Sequence, residues 1–278
     1  MLARLPGARA ERDHAEPTKE TANAGAGCDH HRGQPGDRAG ECHSPCQGLC
    51  AIVLAARDRR NLNETAAAVR EAGAEPLVID LDLSQVAAAR KVVDETMGRF
   101  GRIDALLNIA GAVPQVDVLE MTDAQWDLGM NLKLHGARRL TVAAWPALKA
   151  AKGAVVFMSG NSALFPKASY AAVGTINAAI VALAKAFSDR GISDGVQVNS
   201  VLPGPVMTGR RRSYLAHWAD IHHMTAKEAT ETFPKEAGIA RYGEPEEIAE
   251  LMGFLVSPGA RWMTGAMMRM DGGEVKSV

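Results

Sequence analysis

Three groups of side chains in this sequence have types and spacings that chemistry could use. The first is a set of soft ligands, Cys28, His30, His31, Cys42, His43, Cys46 and Cys50. Thiolate and imidazole suit zinc, and a tetrahedral site needs only four donors. The spacing, C-x-H-H and then C-H-x-x-C-x-x-x-C, has no paired-knuckle form, so a zinc-binding interaction module is the lesser reading. The second group is Arg210-Arg211-Arg212, three guanidiniums that could meet a phosphate or carboxylate or simply remain solvated. The stretch beyond it, with Tyr214, Trp218, His222, His223, Met224 and Phe233, has the mixture expected of a cover over a pocket. His222 and His223 are not a metal pair, because neighbours on a helix do not face each other. The third group is Ala110 and Gly111 at the end of an apolar run. Small residues there let the backbone approach a flat ligand closely.

The elements that must position these groups begin at residue 51. Residues 1–50 hold no Val, Ile, Phe, Tyr or Trp, three Leu, seven Gly and four Pro. Such a segment buries too little apolar surface to offset its ordering entropy, and disorder is the expectation. From 51 onward, short apolar runs predict strands over 51–57, 76–83, 103–111, 154–159, 196–204 and 267–273. Helical patterns fall between them, over 63–72, 85–100, 123–150, 169–189 and 245–256. This alternation predicts an α/β fold, a Rossmann-type doubly wound parallel sheet in a single domain, 51–278. The strands are apolar throughout, as when both faces are covered by helices.

Composition narrows the function further. Thirty-one Lys and Arg against 32 Asp and Glu give a net charge of −1, which provides no bias toward nucleic acid or a membrane surface. No apolar run suggests a span of the ~18–20 residues that a membrane helix needs, and no secretory signal opens the chain. A cytoplasmic location follows as the default. All four cysteines fall within 28–50, so no disulfide framework extends through the domain.

In an open parallel sheet, ligands bind beyond the carboxyl ends of the strands. Arg57 ends the first run, with no carboxylate before Asp58. An acid at that edge would bind the ribose hydroxyls of NAD, whereas an Arg favours the 2′-phosphate of NADP. The chain reads FGRIDALLNIAG, then Asn131, then RYGEPEEIAELMGFLVSP over 241–258, and finally MDGG. In that order these segments resemble the short-chain dehydrogenase/reductase family over roughly four-fifths of the chain. The resemblance implies hydride transfer between NADP(H), preferred here over NAD(H), and a small alcohol or carbonyl compound. It also implies a homo-oligomer packed through the stretches around 123–150 and 169–189. By the same resemblance, Asp82 and Leu83 would contact the adenine and Asn108, Ala110 and Gly111 the cofactor beyond it. Pro203, Gly204, Val206 and Thr208 would lie along the nicotinamide and its phosphates.

The family's active site is a Ser, a Tyr, a Lys four residues after the Tyr, and an Asn on the preceding helix. The Tyr handles the hydroxyl proton, the Lys lowers its pKa, and the Ser holds the oxygen. In this sequence Asn131 fits the Asn, Tyr170 fits the Tyr, and Ser159 or Ser162 fits the Ser, with Gly160 between them. Gly174 stands four residues after Tyr170, where it supplies neither charge nor ribose contact. Lys167 is the nearest replacement, at the helix entrance. Gly174 and Asn177 form a Gly-x-x-Asn pattern that marks an atypical branch.

The family's opening strand and T-G-x-x-x-G-x-G phosphate turn have no counterpart. Gly33, Gly36 and Gly40 are wrongly spaced and follow no apolar run. Codons of residues 28–41 read one nucleotide out of frame would permit, without forcing, such a loop about 25 residues before Arg57, and a frame difference is the expected account of the first 50 residues. The sheet is therefore expected to lack its first strand. The alternative functional reading is a non-catalytic relative with impaired cofactor binding.

Overall fold

A computed structural model describes residues 2–4 and 50–277. The glycines at 33, 36 and 40 and the proposed zinc ligands from Cys28 to Cys46 lie outside the described residues. Cys50, the remaining member of that set, is a free and exposed thiol.

Six of the seven strands are parallel partners in one sheet: β2 (Ala51–Ala56), β3 (Glu75–Asp80), β4 (Ala105–Asn108), β5 (Ala154–Met158), β6 (Gln197–Pro203) and β7 (Met267–Met270). With β1 (Leu2–Arg4) as the seventh strand, the spatial order is β3-β2-β1-β4-β5-β6-β7. Alternation along each strand divides the core into two faces. Val155 and Phe157 turn toward α2 (Ala88–Phe100), α4 (Ala137–Ala151) and α5 (Ala171–Asp194), meeting Val92, Leu148 and Ile180. Ala154 and Val156 turn the other way, onto Ile248, Met252 and Leu255 of α8 (Pro245–Val256). On that same side, α1 (Arg59–Glu71) covers Ile52 and Leu54 through Leu62, Ala66 and Val69. This is the doubly wound α/β domain that the alternating pattern predicts.

The centre of the sheet departs from expectation. The position expected to be empty is held by β1 (Leu2–Arg4), which runs antiparallel to both neighbours, with Leu2 opposite Val53 and Leu106. The physical cause is the bare edge that two flanking parallel strands would otherwise present, which any short extended segment can pair. Three residues do not span the gap. Leu54–Ala56 and Leu107–Asn108 extend past β1 at the carboxyl end of the sheet.

Two helices occupy the stretch read only as a pocket cover. Thr208 caps α6 (Gly209–Ile221) by accepting from Arg211 N, and Thr225 with Glu228 forms a capping box on α7 (Ala226–Ala237). A T-x-x-E signature of this kind is a helix start visible in sequence. Tyr214, Trp218, Phe233 and Tyr242 hold the pair together by ring contacts. The segment that includes α5 is, by length and composition, apolar enough to cross a membrane, which the search for apolar runs missed. In this fold it is a core helix, with Ala172, Ile176, Ile180 and Ala184 almost fully buried.

Candidate active site

The helix predicted over 123–150 is three segments: α3 (Asp123–Gly129), a wider π-type turn over Met130–Gly136, and α4. Such a widening re-aims side chains and is frequent at functional sites. Here it carries Lys133 into a cavity of about 330 Å³ beyond the carboxyl ends of β5 and β6, which Ser159, Ser162, Tyr170 and Asn177 also line. Lys133 Nζ donates to Asn177 Oδ1 at 2.5 Å and to the Ser159 carbonyl at 3.1 Å. Asn177 Nδ2 donates to Ser162 Oγ at 2.8 Å, and Ser159 Oγ donates to the Asn177 carbonyl at 2.8 Å. Asn177 is only 3% exposed, so its amide depends on these partners.

Two glycines make room for the network. A Cβ at Gly111 would come within 2.9 Å of the Lys133 stem, and one at Gly160 within 2.6 Å of Asn177 Nδ2. Position 174 has a different reason. Its Cβ would lie 2.7 Å from Pro166 Cβ and 3.0 Å from the Ser162 carbonyl. Gly174 therefore faces the packed 162–166 segment, where a side chain would collide with Pro166 and the Ser162 carbonyl. The α5 residues that line the cavity are Val173 and Asn177. A Lys and an Asn nonetheless meet at the cavity, Lys133 from the π-type turn and Asn177 from α5.

Of the four expected catalytic residues, Ser159, Ser162 and Tyr170 share the cavity. Asn131 is half-buried in the π-type turn and is not among the lining residues, whereas Lys133, two positions on, is. The Ser159 hydroxyl proton is committed to a backbone carbonyl; Ser162, an acceptor toward Asn177, keeps its proton for a ligand. Burial, reinforced by the nearby Glu274 charge, pushes the Tyr170 phenol up to about 12. At neutral pH it is thus a hydrogen-bond donor and not a base. Sequence reasoning missed Lys133 and Glu274, because neither stands in a motif and only the π-type turn and the chain's last turn bring them to the cavity.

A second cavity, about 440 Å³ and mostly apolar, adjoins the first through Gln115, Met158, Pro203, Gly204, Arg211 and Tyr214. Val206 and Thr208 also line it. The opposite half of the sheet end holds a groove of about 350 Å³ bordered by Ala56, Leu83, Asn108, Ile109 and Ala110. Asn108 spends its amide on Thr141 Oγ1, at 3.0 Å, and so anchors β4 to α4. Asp82 accepts from Ser84 N, the main cause of its lowered pKa, and lies 3.9 Å from the 59% exposed Arg57 guanidinium. Among the described residues no set of His, Cys, Asp and Glu is placed to hold a metal.

The family model described as Enoyl-(Acyl carrier protein) reductase matches residues 47–274. The chain belongs to the short-chain dehydrogenase/reductase family. It is similar to meso-2,3-butanediol dehydrogenase of Serratia marcescens, at 30% identity over 81% of this chain and 86% of that protein. Among solved structures it resembles L-sorbose reductase of Gluconobacter frateurii, complexed with NADPH and L-sorbose, with a TM-score of 0.80 and 26% identity over 84% of this chain and 90% of the other. An actinorhodin polyketide ketoreductase with NADPH gives a TM-score of 0.76 at 27% identity, over 80% of this chain and 87% of the other. Membership in this family makes the chain an oxidoreductase by descent, and its relatives use nicotinamide cofactors. The described residues leave room for such a cofactor at both ends: a guanidinium near the groove bordered by Ala56, Leu83 and Asn108, and an apolar slot along 203–208 opening on a polar cavity. Between the ends, the gap beyond β1 borders the groove without a phosphate-binding turn among the described residues.

Proposed function

We propose that this chain transfers hydride between NADP(H) and the alcohol or carbonyl group of a small molecule. The observation that carries this reading is the Lys133–Asn177–Ser162 network, which aims an ammonium and a hydroxyl proton into a cavity adjoining an apolar slot of the right place for a nicotinamide. When bound, that ring would supply or accept the hydride. Ser162 would donate to the substrate oxygen, and Lys133 would offset the negative charge that grows on it as a carbonyl is reduced. Ser159 and Asn177 would hold these two groups in place, with Asn131 part of the π-type turn that directs Lys133. Tyr170 would add a second neutral donor. Arg57 would favour the 2′-phosphate of NADP over NAD, with Asp82, Leu83, Asn108, Ala110 and Gly111 beside the adenosine half. Pro203, Gly204, Val206 and Thr208 would flank the nicotinamide.

A cytoplasmic homo-oligomer fits this reading. Exposed Leu128, Val142 and Ile192 leave apolar surface on α3, α4 and α5, where a second copy would pack. Calorimetry with NADPH and with NADH, followed by absorbance assays with L-sorbose or with meso-2,3-butanediol and NADP+, tests the proposal. Expected are tighter binding of NADPH and measurable turnover of at least one compound. Absence of binding to either cofactor would shift the weight to a non-catalytic relative.

A further inference from the structure

We infer that Glu274, from the last turn of the chain, is the group that takes and returns the substrate proton in this site. The inference rests on the oxidoreductase reading above and supplies what that reading leaves open. With Tyr170 held neutral, no group of the network described so far can act as a base.

The turn that delivers Glu274 is firmly built. Asp271, 7% exposed, accepts from Gly273 N at 3.0 Å and from Val275 N at 2.9 Å. Gly272 and Gly273 take positive φ of 64° and 81°, a conformation that side chains resist, so the chain reverses here at little strain. Gly204, at the end of β6, presses against this turn; a Cβ there would sit 2.6 Å from Asp271 Cα. Val275 is buried beyond it. Glu274 is therefore fixed between two anchored neighbours, and its side chain lines the same cavity as Ser162, Tyr170 and Asn177.

Its carboxylate is poised in a specific way. Asn161 Nδ2 donates to Oε2, while Oε1 makes no hydrogen bond among the described residues. Burial raises the pKa of the group, opposed by the bond from Asn161 and by the positive charges of Arg211 and Lys167; Asp271 raises it further. Lys133, Tyr170 and Tyr214 are the other titratable groups that line the cavity with it. A carboxyl raised in this manner holds its proton more readily than a solvated glutamate, as a group that must both take and return a proton requires. In oxidation, the substrate O–H proton passes to Glu274 as the C–O double bond forms and the C–H hydride leaves for a nicotinamide dinucleotide. In reduction, the hydride returns to carbon, and protonated Glu274 restores the hydroxyl. Oxidation thus needs the ionised form and rises with pH through the raised pKa, whereas reduction falls.

The test uses the full chain, with NADP+ and meso-2,3-butanediol for oxidation and NADPH and L-sorbose for reduction. Glu274→Gln is expected to lose on the order of 10²-fold in rate and the acidic limb of the oxidation profile. Calorimetry should find its NADPH affinity within about twofold of the parent, since Glu274 faces the substrate. Tyr170→Phe should keep the acidic limb. Independently of turnover, carboxyl NMR of glutamate-labelled protein should show one resonance, missing in Glu274→Gln, titrating above the other glutamates. Unchanged rates and limb in Glu274→Gln, or a Glu274 resonance in the ordinary carboxylate range, would overturn the inference alone. No turnover by the parent chain in either direction would overturn the oxidoreductase reading and this inference with it.

Discussion

The two halves of the cleft at the carboxyl end of the sheet are built to different standards. On the β5–β6 side, buried Asn177, Ser159 and Ser162 have fixed partners, and Gly111, Gly160 and Gly204 allow contacts that any Cβ would break. On the β2–β3 side, an exposed Arg57 stands beside a groove whose central strand is only Leu2–Arg4, antiparallel and short. The β5–β6 half is therefore rigid and specified, and the β2–β3 half is open. Buried polar groups enforce one geometry because each unpaired member is costly, whereas solvated ones do not.

Breaking the network of the rigid half should have the largest effect. Lys133→Met is expected to lower turnover by roughly 10²–10⁴-fold while leaving Asn177 Oδ1 without its donor. The exchanged double variant Lys133→Asn with Asn177→Lys should recover part of that loss, because it restores an ammonium and an amide facing each other. Steady-state kinetics on the single and double variants would show whether the pair or only the fold matters; no difference between them would remove Lys133 from the site.

The next test concerns helix register. Gly174→Lys should restore no activity and should cost about 1–3 kcal/mol or more by overpacking against Pro166. Chemical denaturation of this variant reads the cost directly. A gain in turnover would mean that position 174 does reach the cavity.

In the open half, Arg57→Glu should weaken NADPH binding by about tenfold or more and NADH much less, since one charge-assisted contact is lost and a repulsion gained. Stability should barely change. Equal weakening of both cofactors would place Arg57 away from the 2′-phosphate.

The smallest expected effect lies outside the cleft, where Asp194 accepts from Trp145 Nε1 at 2.8 Å, Lys149 at 2.7 Å and Arg190 at 2.9 Å. These bonds, that from Lys149 foremost, hold its carboxyl far below the usual carboxylate range. A depressed folded-state pKa contributes stability that is present above the unfolded value, near 4, and is lost as pH falls. Asp194→Asn should lower the thermal midpoint by a few degrees at neutral pH and flatten its decline below about pH 4. A midpoint that declines with acid as the parent's does would assign that decline to other carboxylates.

Period and composition determined the sheet, its helices and their order, because apolar runs separated by amphipathic stretches have few ways to bury both faces. The family resemblance added that Ser159, Ser162 and Tyr170 belong together, through their places after β5 and at the start of α5. The capping signals at Thr208 and Thr225 were present in the sequence as well, although the helices they start bury few side chains, Leu215 and Ala219 in α6 and Ala229 in α7. Only the tertiary structure decided which side chain of α5 faces the cavity, since a one-residue error in register turns a helix by about 100°. It alone placed Lys133, through a π-type turn that no local pattern marks, and Glu274, through an end turn held by Asp271. It alone filled the centre of the sheet with the first residues of the chain. Contacts between segments far apart in sequence are settled by packing and by the satisfaction of buried polar groups, and neither is written in local order.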